Sequence, residues 1–248
     1  MKYTRNYLDY FIVLCIIIGF LFIYRQVIFD GKIIFPSNFL AQFYSPWKTE
    51  KFLSWEAGIP HKPIGDDQIR LFYPERTFTN AMLAKKIIPL WNPYTFTGTP
   101  FLADFQSAVF YPLNILYSIL QQIYAWEILL FIQPIMAAFF MYLFLSLFRI
   151  KKEANWLGTI AFGFSGFMLA WSQEHVVFGQ AALWLPLVLF GIEGYLSRNK
   201  LSFYYISIIA VLCSLLAGFF QVTFYILAFS FIFSLFRIGS LKLPFLKL

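Results

Sequence analysis

Charged side chains are scarce in this chain. Aspartate, glutamate, lysine and arginine together supply 12% of its 248 residues, against about a quarter in an ordinary soluble domain. That shortage excludes water as the main solvent of the folded protein. Cysteine is nearly absent, and both Cys15 and Cys213 lie inside apolar runs, so neither a disulfide framework nor a thiolate metal site is implied. A glycine-rich phosphate loop, a zinc-ligand pair and a serine nucleophile elbow are all missing, which argues against soluble nucleotide chemistry. The sequence also has no internal repeat and no low-complexity tract.

What is abundant is apolar surface: 60% of the residues are hydrophobic and 22% are aromatic. They gather into runs of the length, about 20 residues, that crosses about 30 Å of hydrocarbon. Spanning candidates run from Asp9 to Ile28, Ala125 to Phe148, Asn155 to Trp171, Val176 to Leu196 and Phe203 to Phe236. A single helix through the last of these would be about 50 Å long at about 1.5 Å per residue, so two shorter spans hinged near Gly218 are expected. The expected fold class is an all-α polytopic membrane protein of about six transmembrane helices, with a large first extracytoplasmic loop containing interfacial helices.

The net charge of +7 does not point to nucleic acid, because the basic residues stand at the ends of apolar runs instead of forming a face. The partner they imply is the lipid bilayer. Lys2 and Arg5, then Arg149, Lys151 and Lys152, then Arg198 and Lys200, then Arg237, Lys242 and Lys247 all fall on one side of the expected membrane. The opposite short loops, 172–175 and 218–221, hold neither lysine nor arginine. By the positive-inside rule both ends are cytoplasmic and the first loop faces outward. No small-residue cleavage site follows the apolar run Tyr10 to Tyr24, so it reads as a retained signal anchor. The chain thus divides into a first transmembrane helix (1–28), an extracytoplasmic loop (29–124), five further helices (125–237) and a cytoplasmic tail or truncated continuation (238–248).

Within the loop, Asp67 to Ala84 spaces Ile69, Phe72, Tyr73, Thr77 and Leu83 among charges, an amphipathic pattern suited to a membrane surface. Pro74 marks its first turn or a kink. Val109 to Ile123 reads as a second interfacial helix, with Tyr111, Tyr117 and Tyr124 at headgroup depth.

Three constellations carry possible chemistry. The pair Asp66 and Asp67 follows Gly65 and opens the first interfacial helix. A carboxylate there either caps the helix or serves as a general base for an attacking hydroxyl; a divalent metal at the pair stays open, and no other cofactor is implied. The stretch Pro89 to Ser107 alternates aromatics with small polar groups along a turn-rich path. Its aromatic faces, amides and carboxylate suit a sugar ring, with Trp91 and Tyr94 as anchors and Asn92, Asp104 and Gln106 as contacts; the alternative is a structural turn held by Trp91. Glu174, His175 and Gln221 either are polar groups at membrane depth, and so further candidates, or sit in the wet interface at little cost. The basic residues Lys62, Arg70, Arg76, Lys85 and Lys86 either meet a lipid-borne phosphate or touch headgroups. Glu193 is expected to pair with Arg198 or Lys200.

In Gly65-Asp66-Asp67-Gln68 with Phe72-Tyr73-Pro74, Pro89-Leu90-Trp91-Asn92-Pro93-Tyr94 with Gly98-Thr99-Pro100, and Gln106 to Pro112, the chain resembles the YfhO-type bacterial membrane proteins. These are in turn similar to the GT-C class of glycosyltransferases. The resemblance implies an inverting enzyme of the bacterial cytoplasmic (inner) membrane. It would pass a sugar from a polyprenyl-phosphate donor to an envelope polymer or lipid acceptor on the extracytoplasmic side. Asp67, then Asp66, matches the family's catalytic acidic residue, and Arg70 would steady the departing phosphate. Asn38 stands where the family pattern often has an aspartate, and family members are usually longer, so the chain resembles an N-terminal portion. The alternative class is a transporter or lipid flippase of envelope precursors, which calls for ionisable groups inside the spans; here the span interiors are nearly free of charge.

Overall fold

The computed structural model describes residues 4–48 and 66–241, so Lys2, Lys62, Lys242, Lys247 and the Pro63–Gly65 start of the acidic motif lie outside the described residues. The chain divides into two compact units, residues 1–35 and 36–248. The first unit holds α1 (Thr4–Ile23) and α2 (Arg25–Asp30). The helix axis is interrupted at Tyr24, whose ring packs on Phe20 at 4.6 Å, and α2 ends at Gly31 in the left-handed conformation that glycine adopts without strain.

The second unit opens with α3 (Asn38–Phe43). A π-helical turn (Gln68–Phe72) then runs into α4 (Tyr73–Ala84), with Pro74 in the first turn of α4, where its missing N–H has no helical partner to lose. Strands β1 (Trp91–Asn92) and β2 (Thr99–Pro100) pair antiparallel, Trp91 opposite Pro100 and Asn92 opposite Thr99. Next come two 3₁₀ turns (Phe105–Ser107 and Pro112–Ile115) and α5 (Leu116–Ile119). The long second interfacial helix expected over 109–123 is therefore not formed. Ala108 turns left-handed, Asn114 spends its amide on the Ala108 carbonyl at 2.8 Å, and Leu120 is extended, so the helical path breaks at both ends.

The remainder is helical: α6 (Gln122–Leu145), α7 (Lys152–Gly163), α8 (Gly166–Glu174), α9 (Val176–Ala182), α10 (Leu185–Arg198), α11 (Leu201–Leu216) and α12 (Phe220–Ser240). Among the described residues, three helical stretches are long and apolar enough to cross a membrane: Gln122–Leu145, Val176–Arg198 and Phe220–Ser240. Asp9–Ile23 and Leu201–Leu216 are shorter apolar helices. The expected run 155–171 is split, because Ser165 caps α8 by accepting the Met168 amide at 3.1 Å. Within Val176–Arg198, Pro186 lacks the amide that would continue α9 into α10. The hinge near Gly218 is present: α11 ends at Leu216, Gly218 has φ +94°, and α12 begins at Phe220.

Helices α9 and α10 form the centre of this unit, where Val177, Ala181, Leu183 and Val188 are buried with Ala137, Met168, Ala210, Ala217 and Ile226 from the surrounding helices. Close approach depends on small residues, as expected where helices pack without a hydrophobic driving force. A Cβ on Gly163 would stand 2.4 Å from that of Ala138, and one on Gly191 would stand 2.6 Å from the Phe203 carbonyl oxygen. The outer faces are apolar too: Phe224, Phe231 and Phe236 of α12 are all exposed, a surface suited to hydrocarbon.

Two sets of polar groups inside the bundle pair across helices. Ser214 donates to the Ala181 carbonyl at 3.1 Å and lies 3.0 Å from the Thr223 hydroxyl. Glu193 is paired with Arg237 and not with Arg198 or Lys200 as expected. Arg237 Nε and Nη2 each donate to the carboxylate at 2.6 Å. The reason is facial: Glu193 points into the bundle toward α12, while Arg198, at the end of α10, lies over the Phe203 ring.

Candidate functional site

The acidic pair stands at the start of the π-helical turn. The Asp66 carbonyl accepts the amides of Ile69 and Arg70, both at 2.9 Å. The Asp67 carboxylate does not cap this turn; its Oδ1 accepts from Arg70 Nη2 at 3.0 Å. Asp66 Oδ2 accepts the Tyr44 hydroxyl, and Asp66 Oδ1 lies 4.0 Å from Arg70 Nε. The bond to Asp66 raises the Tyr44 pKa, with burial adding to it. Tyr44, Asp66, Asp67 and Arg70 thus form one hydrogen-bonded and ionic cluster, and the Arg70 side chain is 64% exposed at its edge.

Arg70 also lines a cavity of about 690 Å³ together with Glu75, Asn92, Tyr94, Phe101 and Asp104. Two distant stretches, the π-helical turn with α4 and the Asn92–Asp104 segment, meet there. Asn92 Oδ1 accepts the Tyr94 amide at 3.0 Å while its Nδ2 donates to Thr95 Oγ1 at 3.0 Å. Asp104 Oδ1 accepts the Gln106 amide at 3.1 Å and caps the first 3₁₀ turn. Both side chains therefore shape the turns that bring them to the cavity. Phe78 and Phe101 meet edge to face at 4.9 Å, and Phe78 also reaches Tyr94 at 6.0 Å, so aromatic faces form one wall.

The other sequence candidates lie elsewhere. The Trp91 indole covers Gly98, where a Cβ would come within 2.6 Å of the ring and φ is +121°. Gly98→Ala is accordingly expected to destabilise the protein by about 1–3 kcal/mol, read as a lowered thermal midpoint in detergent with α-helical content unchanged. Gln106 contributes its carbonyl to Arg76 at 3.4 Å. Glu174 is half-buried at the end of α8. His175 stands between α8 and α9 with its ring edge-on to Phe72 at 4.7 Å and Phe219 at 5.2 Å, joining the π-helical turn to the α11–α12 turn. Gln221 is exposed and donates to the Tyr225 hydroxyl at 2.6 Å within α12.

Sequence reasoning gave Glu75 no role and Arg76 only a generic one, yet both are buried. Arg76 donates to the Ser107 carbonyl and to that of Gln106. Burial pushes the Glu75 carboxyl up to about 7, opposed by Arg76 and aided by Asp104, and burial also lowers the Arg76 pKa. The signal was present in the spacing: Phe72, Arg76, Thr79 and Leu83 recur at helical intervals, so Arg76 shares the face that packs. Among the described residues no group of three or more His, Cys, Asp or Glu is placed to hold a metal ion.

No family model, curated protein or solved structure matches this chain. Its mainly helical fold, with three apolar helices of spanning length among the described residues, is consistent with an all-α, multi-pass membrane protein.

Proposed function

We propose that the chain is a GT-C-like membrane glycosyltransferase of the bacterial cytoplasmic membrane. In this reading six spans place both ends in the cytoplasm, and the 29–124 loop works at the outer leaflet. The observation that carries the reading is the shared cavity: Arg70, Asn92, Tyr94 and Asp104 converge beside aromatic walls while Arg70 also contacts Asp67. Aromatic faces and edge-on polar groups suit a saccharide, and Arg70 suits the phosphate of its carrier. Asp67, assisted by Asp66, takes the proton of the acceptor hydroxyl as its oxygen bonds to the anomeric carbon. The bond from that carbon to the carrier phosphate breaks, the electron pair leaves with the phosphate, and the configuration inverts.

The test is transfer of radiolabelled sugar from a polyprenyl-phosphate donor by membranes carrying the full chain or Asp67→Asn. The expected fall is about a hundredfold, the lower end of general-base contributions, and undiminished transfer by Asp67→Asn removes the assignment. Cysteine labelling of intact cells at position 67, against positions 151–154, checks the orientation. A non-catalytic flippase predicts uptake into proteoliposomes with no covalent product.

A further inference from the structure

Helix α4 separates two cavities, and the second has no role in the reading above. It measures about 250 Å³ and lies between α4 and the 109–118 segment, lined by Arg76, Thr79, Asn80, Asn114, Tyr117 and neighbouring apolar groups. Four polar atoms of its lining residues are buried: Thr79 Oγ1 and Asn114 Oδ1 have no hydrogen-bond partner among the described residues, while Arg76 Nε and Tyr117 Oη have no other partner and belong to side chains that interact with each other. Arg76 is 2% exposed, Tyr117 5% and Thr79 6%. A buried donor or acceptor left unmade costs about 1–3 kcal/mol, more when charged, and native interiors rarely tolerate several together. Here they surround one space.

The donors outnumber the acceptors. Arg76 brings a buried guanidinium that faces Tyr117; Glu75 and Asp104 act on its charge from a distance, and neither forms an ion pair with it among the described ion pairs. Thr79 and Tyr117 each bring a hydroxyl. Burial pushes the Tyr117 phenol up to about 12, so it keeps its proton and remains able to donate. Asn114 is oriented by the bond from its Nδ2 to the Ala108 carbonyl, which leaves Oδ1 as an acceptor for one hydroxyl. A guanidinium flanked by two O–H donors is the chemistry of oxyanion recognition. Water alone would satisfy the neutral atoms, whereas an oxyanion would also sit in ion-pair contact with Arg76, which neither Glu75 nor Asp104 does among the described ion pairs. The rim residues Phe110 and Ile115 are 53% and 63% exposed, placing apolar surface around a cationic interior.

We propose that this cavity is a phosphate-class anion site in which Arg76, Thr79 and Tyr117 grip the oxyanion and Asn114 accepts from a hydroxyl on it or beside it. The same chemistry is offered by a lipid phosphate, whose chain would lie on the apolar rim, and by a free phosphate ion. The site is independent of the glycosyl-transfer reading, because it shares no residue with the cluster around Asp67.

The experiment uses the full chain, purified and delipidated in a maltoside detergent that carries no phosphate. Binding of inorganic phosphate, farnesyl phosphate and farnesol is followed by the shift in thermal midpoint and by ³¹P line broadening. Farnesyl phosphate is expected to bind and farnesol not to. Inorganic phosphate binding with similar affinity identifies a soluble anion as the ligand, while binding of farnesyl phosphate alone identifies a lipid headgroup; both uphold the anion site. Thr79→Val and Tyr117→Phe keep side-chain volume and are each expected to weaken binding about tenfold or more, the worth of one hydrogen bond to a charged group. Failure of both phosphates to bind the wild-type chain, equal binding of farnesol and farnesyl phosphate, or wild-type affinity in both variants would overturn the proposal. These outcomes are read without any transfer assay, so an inactive enzyme leaves the result intact.

Discussion

Glu193→Ala is expected to destabilise the folded bundle by about 3–5 kcal/mol, the cost of breaking a buried ion pair from one side. Glu193 is buried and accepts two bonds of 2.6 Å from Arg237, whose guanidinium also lies over the Phe148 ring at 5.5 Å. The pair therefore ties α10 to α12 and to the turn that follows α6. Removing the carboxylate leaves a half-buried guanidinium without its partner, and Arg237→Met leaves the buried Glu193 carboxylate without one. The double substitution Glu193→Met with Arg237→Met removes both charges and is expected to recover most of the loss. Reversible unfolding in mixed micelles, followed by circular dichroism, measures all four proteins; a single-variant loss below about 1 kcal/mol, the worth of an exposed pair, contradicts this account.

Glu75→Gln is expected to stabilise the protein above neutral pH by about 3 kcal/mol, at about 1.4 kcal/mol per pKa unit. The folded-state carboxyl titrates near 7 because burial disfavours its ionised form, against 4.5 as the ordinary value. The folded protein thus holds the proton over a range where the unfolded chain has released it. Stability falls as pH rises from about 4.5 to about 7 and is flat above that. The glutamine variant lacks this slope, so the two curves coincide near pH 4 and separate upward. Arg76 and Asp104 are the charged neighbours acting on Glu75, with opposite signs, so the same measurement on Asp104→Asn, where the wild-type slope should shift to lower pH, tests the cause. Parallel curves for wild type and Glu75→Gln would refute the assignment.

The features legible in the sequence are those set by composition and helical period. The apolar runs gave the helical membrane class, and charges between Ile69, Phe72 and Leu83 marked the helix that became α4. The break at Gly218 followed from length alone. What was not legible depended on contacts between segments far apart. Treating charge as a mark of the wet face concealed Glu75 and Arg76, because the carbonyls that hold Arg76 belong to Gln106 and Ser107. The partner of Glu193 lies 44 residues away, beyond any local pattern. The breaks at Ser165 and Pro186 were written in cap and imide chemistry, but an apolar window of spanning length averages over both. For the candidate site, residue types in the 89–107 stretch singled out a segment of which part lines the larger cavity, yet only the folded path separates Asn92, Tyr94 and Asp104 there from Trp91 and Gln106, which organise the turns beside it.

Gly218 bears on how such a chain is made. A Cβ there would stand 2.6 Å from the Phe105 carbonyl oxygen and 3.1 Å from the Ala108 Cβ, so the bend between α11 and α12 presses against the turn whose carbonyls anchor Arg76. A ribosome delivers the chain from its N-terminus, and that support therefore arrives more than 100 residues after the segment it backs. Until the α11–α12 hairpin has been synthesised, the segment around Phe105 lacks this backing, and a nascent chain released before about residue 220 would carry the Arg76-holding turn unsupported.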